Sequence, residues 1–313
     1  MNTLKFSKLY NKTTEQHNLE VIDIEETTLF GKKVSMFYPC NLNIFITNIC
    51  QNHCSFCINK DYSGTDIKDD LYFKALCETL EELKDKDIEI TITGGEPSLN
   101  VERFVKTMRI CREYGKKCRT VSTTGIGLLQ EYDDKTLCQH MIDNGFIHNI
   151  SISRMAYEDD KNRDIFQGSK NLTNQELERL RIFFKLNKAE LRLSCNILDG
   201  NVNNLEKILD FVEKYKKFDT IMFREIVGGT IKLSDIVEFD DRFSYVETLH
   251  GIYYNVDIYV YKDYLIKYYK SKRVDKNMIS SLSLRNVVLM KDFKDTIKDV
   301  SVRLKNGVNY ERV

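Results

Sequence analysis

The sequence predicts an α/β fold whose parallel sheet curves into a wide, incomplete barrel. Two observations carry this. After residue 40, short β-type runs alternate with amphipathic helical stretches in six successive units, and parallel strands in series need crossover helices. Within the runs apolar and polar residues alternate, so one face is repeatedly apolar and the other repeatedly polar. A closed eight-stranded barrel fills its interior with branched apolar side chains. A polar inner face points instead to a wide interior that holds a polar ligand. A solvated open sheet would alternate in the same way, but helical cover on two faces argues against it.

The strands fall near 42–47, 88–93, 118–124, 148–153, 190–197 and 219–225. Ile88, Ile90 and Ile92 alternate with Thr91 and Thr93, and Ile150 and Ile152 with Ser151 and Ser153. Leu191, Leu193, Cys195 and Ile197 alternate with Arg192, Ser194 and Asn196, and Ile221 and Phe223 with Thr220, Met222 and Arg224. Helical stripes lie between them. One is Val101, Phe104, Val105, Met108 and Cys111, closed by Gly115. Another is Leu177, Leu180 and Phe184 behind the capping pair Thr173 and Glu176. A third is Leu205, Ile208, Leu209 and Val212. Upstream, Val21–Leu29 and Lys33–Tyr38 predict a hairpin around Gly31-Lys32. Downstream, 252–261 alternates like a strand, turns at Lys262-Asp263 and returns through Tyr264–Tyr269.

Composition narrows the function. The chain has 313 residues, 42% of them hydrophobic, which is enough for one large domain or a core with attachments. Lys plus Arg and Asp plus Glu are both 47, so no general attraction to nucleic acid or anionic membrane follows. The tyrosine-rich basic stretch Lys262 to Lys276 reads as a solvated face. There is no apolar signal core at the N-terminus and no run approaching the ~18 apolar residues of a membrane span. Nine cysteines then read as reduced thiols, and a cytoplasmic protein is expected.

Cys50, Cys54 and Cys57 stand in Cys50-Gln-Asn-His-Cys54-Ser-Phe56-Cys57. Three thiolates from one short loop can take three corners of an iron–sulfur cube and leave the fourth iron open. With His53 or Cys40 as a fourth ligand they could instead hold zinc and stabilise a binding module. Cys77, Cys111 and Cys138 fall on helical stripes and Cys195 on an apolar strand face, as packing residues. His140, His148 and His250 lack partners at metal spacing. Asp159, Asp160, Lys161 and Arg163 read as a solvated loop.

Taken with Thr93-Gly94-Gly95-Glu96-Pro97, the cysteine motif resembles the radical S-adenosylmethionine (SAM) superfamily. The similarity covers roughly residues 40–228. With the Ser-x-Ser strand and Leu193-Ser-Cys-Asn-Ile-Leu-Asp-Gly200 it resembles the branch of the molybdenum-cofactor GTP cyclases and peptide maturases. The resemblance implies a partial (β/α)6 TIM-like barrel over 40–230, with a β-hairpin extension at 1–39 and a β-containing C-terminal cap at 231–313. It implies one [4Fe–4S] cluster on Cys50, Cys54 and Cys57, with SAM chelating the open iron through its amino and carboxylate groups. Reductive cleavage of SAM would yield methionine and a 5′-deoxyadenosyl radical that abstracts a substrate hydrogen, fed by a low-potential one-electron donor such as flavodoxin or ferredoxin. Phe56, Gly94, Gly95, Glu96, Pro97, Ser122, Thr124, Ser151, Ser153, Asn196 and Arg224 are the implied cofactor contacts. Where relatives carry Thr-Asn-Gly and Ser-x-Asp, this chain has Ser122-Thr-Thr124-Gly and Ser151-x-Ser153. Arg224 could hold a carboxylate or phosphate, or pair with Glu96 or Glu225. No cysteine follows Cys195, so neither a second cluster in the last third nor GTP cyclisation is expected. The substrate expected is a ribosomally made peptide bound by strand addition along the tyrosine-rich segment. The alternative is a small nucleotide, nucleoside or sugar.

Overall fold

A computed structural model describes residues 23–59, 65–145, 147–226, 229–237, 240–250, 254–271, 278–286 and 288–291. Chain order begins with β1 (Asp23–Leu29), β2 (Lys32–Phe45), α1 (Asp69–Glu82), β3 (Ile88–Thr93), α2 (Val101–Glu113) and β4 (Cys118–Thr123). A small hairpin, β5 (Glu131–Tyr132) and β6 (Lys135–Thr136), leads to α3 (Leu137–Asp143) and β7 (Ile147–Ser153). Then come α4 (Asp159–Phe166), α5 (Asn174–Leu186), β8 (Glu190–Asn196), α6 (Leu205–Tyr215), β9 (Thr220–Arg224) and α7 (Ser234–Val237). The chain continues through β10 (Phe243–His250), β11 (Tyr254–Tyr261), β12 (Tyr264–Ser271), β13 (Met278–Arg285) and β14 (Val288–Lys291). The fold is the α/β class expected. The six strands β2, β3, β4, β7, β8 and β9 are separated by crossover helices in the order of a partial (β/α)6 barrel, with β-containing segments on either side.

The described residues form two compact units, one over 23–53, 57–150 and 278–291, the other over 54–56 and 151–271. In the first, the strand order is β4-β3-β2-β13-β14, with β1 antiparallel on the first half of β2. The β1–β2 turn has positive φ at both Phe30 and Gly31, the geometry that a two-residue hairpin needs. β2 runs unbroken through Pro39, where the sequence predicts a hairpin strand and a separate barrel strand. β1 pairs with β2 as far as Tyr38, and β3 takes over from Cys40. The proline, which has no N–H to give, falls at the handover. Ile88, Ile90 and Ile92 are buried, and their neighbours Glu89, Thr91 and Thr93 are half-buried on the polar face. On that face Thr91 Oγ1 donates to Asn41 Oδ1 (2.9 Å), Asn41 Nδ2 to Asn43 Oδ1 (3.0 Å) and Asn43 Nδ2 to the Leu282 carbonyl (3.2 Å).

In the second unit the order is β10-β11-β12-β9-β8-β7. β12 lies parallel to β9, so the C-terminal strands extend the parallel sheet. The tyrosine-rich strand β11 is enclosed between β10 and β12 and is not the edge that the sequence predicts. β10 is the outermost strand of this unit among the described residues. Asp159, Asp160, Lys161 and Arg163, expected in a loop, lie on α4. Two aspartates in its first turn suit the helix dipole, and Asp159 receives the buried guanidinium of Arg154. The capping pair Thr173 and Glu176 forms as expected at the start of α5.

Rows of side chains run across β8, β9 and β12: Ser194, Met222 and Lys267, then Asn196, Arg224 and Tyr269. At the start of β8, Glu190 holds Arg192 through two bonds of 2.8 Å and accepts from Thr220 Oγ1 at 3.0 Å. Burial works to raise the Glu190 carboxyl, but Arg192, with Lys267 and Thr220, outweighs it and leaves the group below its ordinary value. A carboxyl depressed by folding adds stability above its unfolded pKa and loses it as pH falls through the folded value. Glu190→Gln is therefore expected to be less stable than the parent at neutral pH. The two urea midpoints should converge as pH falls below about 4. A gap that stays constant across this range would refute the assignment.

Candidate active site

The cysteine loop leaves the carboxyl end of β2, and its root is held by main-chain bonds to the Gly94-Gly95-Glu96 segment. Ile46 N donates to the Thr93 carbonyl (3.0 Å), Gly95 N to Thr47 O (2.7 Å) and Glu96 N to Ile49 O (2.8 Å). The two chains lie so close that a Cβ at Gly94 would stand 2.7 Å from Thr47 O. One at Gly95 would stand 2.7 Å from Asn48 O and collide with Ile49 O. The glycines admit the chain's own backbone, the three residues that precede Cys50.

Glu96 is 1% exposed. Its Oε1 accepts from Ser98 N (3.0 Å), Ser98 Oγ (2.6 Å) and Thr123 Oγ1, and its Oε2 accepts from Thr124 N and Thr124 Oγ1, both at 2.6 Å. Gln51, inside the cysteine motif, donates to Thr124 Oγ1 at 3.0 Å. One carboxylate therefore joins the ends of β3 and β4 and, through Thr124, the loop itself. Pro97 is buried and opens a single 3₁₀ turn whose N-cap is Glu96.

Residues that the sequence reading did not single out complete the frame. Asp66 accepts from Thr47 Oγ1 (2.5 Å) and Asn48 N (2.7 Å). Arg103 on α2, 3% exposed, donates to Asp69 (2.7 Å), Ile46 O (3.0 Å) and Ile67 O (2.8 Å), stacks 4.7 Å from the Tyr72 ring and faces Asp66. Asn59 donates to Gly94 O (3.3 Å) and accepts from Arg285 on β13 (2.7 Å). Nothing local marks Arg103 or Arg285. Each acts on residues far away in sequence.

Cys50, Cys54 and Cys57 are half-buried free thiols. Cys50 Sγ accepts from Asn52 N and Cys57 Sγ from Asn59 N, each at 3.4 Å. Burial pushes the Cys50 thiol up to about 11, against the Asn52 N–H, and the charges of Glu96 and Cys57 add to the rise. Within the second unit Cys54 Sγ lies 3.6 Å from the Phe166 carbonyl at the end of α4, and the Phe56 and Phe166 rings are 6.4 Å apart. Three soft donors on one half-buried loop suit an iron–sulfur cluster, each thiolate taking its own iron. Of the two candidate fourth ligands for zinc, His53 is exposed and Cys40 is sealed within β2. Among the described residues no three His, Cys, Asp or Glu side chains are gathered for one metal ion.

Ser122 and Thr124 lie at the end of β4, half-buried. Ser151 is buried and Ser153 half-buried at the end of β7. Asn196 and Arg224 are neighbours in register at the ends of β8 and β9. Asn201, outside the predicted set, organises this end. Its Nδ2 donates to Asn196 O (2.7 Å) and Met155 O (3.1 Å), and its Oδ1 accepts from Leu198 N (2.8 Å) and Val202 N (2.6 Å). Cys77, Cys111 and Cys138 lie on helices and Cys195 is fully buried, as expected. His140 bonds the Tyr132 carbonyl at 2.6 Å, and the His148 and His250 side chains lie outside the described residues.

The sequence matches the family described as the Radical SAM superfamily over residues 44–242, and the chain belongs to it. Members of this class of enzymes use a [4Fe–4S] cluster and SAM. No curated protein matches the chain. Among solved structures it is similar to Streptococcus suis SuiB, at 18% identity and a TM-score of 0.46, covering 63% of this chain and 43% of that one. It is also similar to anSMEcpe with bound AdoMet and the Cp18Cys peptide (18%, TM-score 0.44, 60% of this chain and 51% of that one). A third is methylornithine synthase PylB (18%, TM-score 0.43, 60% and 53%). The matched region thus spans roughly half the length of these proteins or less.

The packing at Gly95 predicts that Gly95→Ala displaces Ile49 and loosens the loop's root. Iron retained after anaerobic reconstitution should fall by about half or more, while Gly200→Ala, where a Cβ meets open space, should retain the parental amount. Equal iron in the two variants would contradict this account.

Proposed function

We propose that the chain holds one [4Fe–4S] cluster through Cys50, Cys54 and Cys57 and binds SAM beside it. The observation that carries this is the clamp of Gly95 and Glu96 on Thr47 and Ile49, which fixes the stem of a three-thiol loop. When bound, the reduced cluster supplies the electron that cleaves SAM to methionine and a 5′-deoxyadenosyl radical, which takes a hydrogen from the substrate. The chain's own part is to position and enclose. Gly94 to Pro97 present main chain to the ligand while the Glu96 carboxylate stays committed to Ser98, Thr123 and Thr124. Phe56 shields the cluster or packs on adenine. Ser122, Thr124, Ser151, Ser153, Asn196 and Arg224 offer hydroxyl, amide and guanidinium groups to SAM or substrate.

In this reading 40–230 is the catalytic core, 1–39 an extension and 231–313 a substrate-facing segment without a second cluster. A ribosomally made peptide is the preferred substrate, and the side of β10 that pairs with no strand among the described residues, with Tyr245 and Val246 exposed, is the place for strand addition. A small nucleotide, nucleoside or sugar is the second reading, favoured by the amide and hydroxyl ladder of Asn41, Asn43 and Thr91. The electron donor is a flavodoxin or ferredoxin and the location cytoplasmic. No described helix is long and apolar enough to cross a membrane.

The purified anaerobic protein should carry about four irons and four sulfides per chain and, once reduced, release 5′-deoxyadenosine from SAM. Replacing Cys50, Cys54 and Cys57 together with Ala should abolish the iron and the charge-transfer absorption. Colour and iron surviving in that variant would defeat the proposal, and about eight irons per chain would defeat its single-cluster part.

A further inference from the structure

Four enclosed arginines each have an acidic partner, and among the described residues Arg224 does not. Arg103 is surrounded by Asp66, Asp69 and two carbonyls. Arg154, 1% exposed, donates to Tyr215 Oη (2.8 Å), Leu172 O (2.8 Å), Tyr157 O (2.7 Å), Asn174 Oδ1 (3.2 Å) and Asp159. Arg119 pairs with Glu89, and Arg192 with Glu190. Arg224 has neither an ion pair nor a side-chain hydrogen bond among the described residues, and its Nε is enclosed without a partner. Its guanidinium lies 5.1 Å from the centre of the Tyr269 ring. Tyr269 packs in turn on Leu249, Val256 and Ile258. The alternative pairing with Glu225 does not form among the described residues.

A half-buried guanidinium without a counter-ion is costly, and the cost is recovered when an anion arrives. An aromatic face attracts a guanidinium without using its N–H donors. It stands at the carboxyl end of a parallel strand, where α/β sheets bind ligands, and Asn196 is its register neighbour on β8. SAM brings a carboxylate of its own, but the family resemblance implies that this group chelates the open iron.

We infer that Arg224, stacked on Tyr269 beside Asn196, is the receptor for a carboxylate of the substrate. One planar fork with one positive charge matches a carboxylate better than a phosphate dianion. The inference rests on the proposed function and narrows the substrate to a molecule bearing a carboxylate.

The test uses the reconstituted, SAM-saturated protein and two probes of one shape, benzoate and its neutral isostere benzamide, measured by calorimetry. Benzoate is expected to bind at least about ten-fold more tightly, about 1.4 kcal/mol. Arg224→Gln should erase the preference. Arg224→Lys, which keeps the charge but loses the fork, should weaken benzoate and retain part of the preference, and it decides the matter if the glutamine variant does not fold. Equal binding of the two probes by the parent overturns the inference, as does a lysine variant with parental benzoate affinity. Benzoate that binds the reconstituted protein without SAM but not the SAM-saturated protein overturns it too, since Arg224 would then serve the carboxylate of SAM. A parent that cleaves no SAM would instead refute the proposed function, so the two failures are distinct.

Discussion

The site depends on a close approach of two backbone segments. Thr47 to Ile49 and Gly94 to Glu96 exchange hydrogen bonds at a separation that excludes a Cβ at either glycine. Everything that follows in the cysteine loop starts from Ile49. Glu96 secures the same junction from its side-chain end. Its carboxylate accepts bonds from Ser98, Thr123 and Thr124, and no neutral side chain offers two oxygens of that accepting strength. The sequence Gly-Gly-Glu-Pro is thus a joint between strand ends.

Much of this was legible in the sequence because burial writes itself with a period. The alternation of Ile88, Ile90 and Ile92 with polar neighbours marks a strand with two different faces, and the structure buries those three isoleucines. Thr173 and Glu176 mark a helix start because both ends of the capping bond lie within four residues. The cysteine spacing is equally local. What could not be read is what depends on distant partners. Arg103 resembles any helix-surface arginine until Asp66, Asp69 and the end of β2 close around it. Pro39 argues against a continuous strand unless the neighbour is known to change there. α4 was missed because its short, charged segment has little apolar stripe, and its stability draws on Arg154 holding Asp159. Which backbone approaches Gly94 and Gly95 is likewise no property of the local sequence.

The C-terminal strands show how distant chain reaches the site. β13 pairs in parallel with β2, so that Ser281, Ser283 and Arg285 stand opposite Asn41, Asn43 and Phe45. Arg285 lies 4.1 Å from the centre of the Phe45 ring and donates to Asn59, which donates to Gly94 O. A strand more than two hundred residues from the cysteines in sequence thereby braces the segment next to Cys57. Such pairing closes a very long loop, so its entropy cost is met only by contacts formed late. The completed loop geometry is a property of the folded chain, not of the motif.

The polar inner faces are not uniform along the strands. Near the strand starts the polar groups answer one another: Glu89 with Arg119, Glu190 with Arg192 and Thr220. Toward the carboxyl ends atoms are left without partners, Asn48 Oδ1 after β2 and Arg224 Nε on β9. Asn149 Oδ1 and Ser283 Oγ depart from this gradient in mid-strand. A buried polar atom left unpaired costs on the order of 1–3 kcal/mol, and a fold selected for stability alone would remove it with an apolar side chain. Paired starts build the frame at little net cost. Unpaired ends are a standing cost that binding can offset.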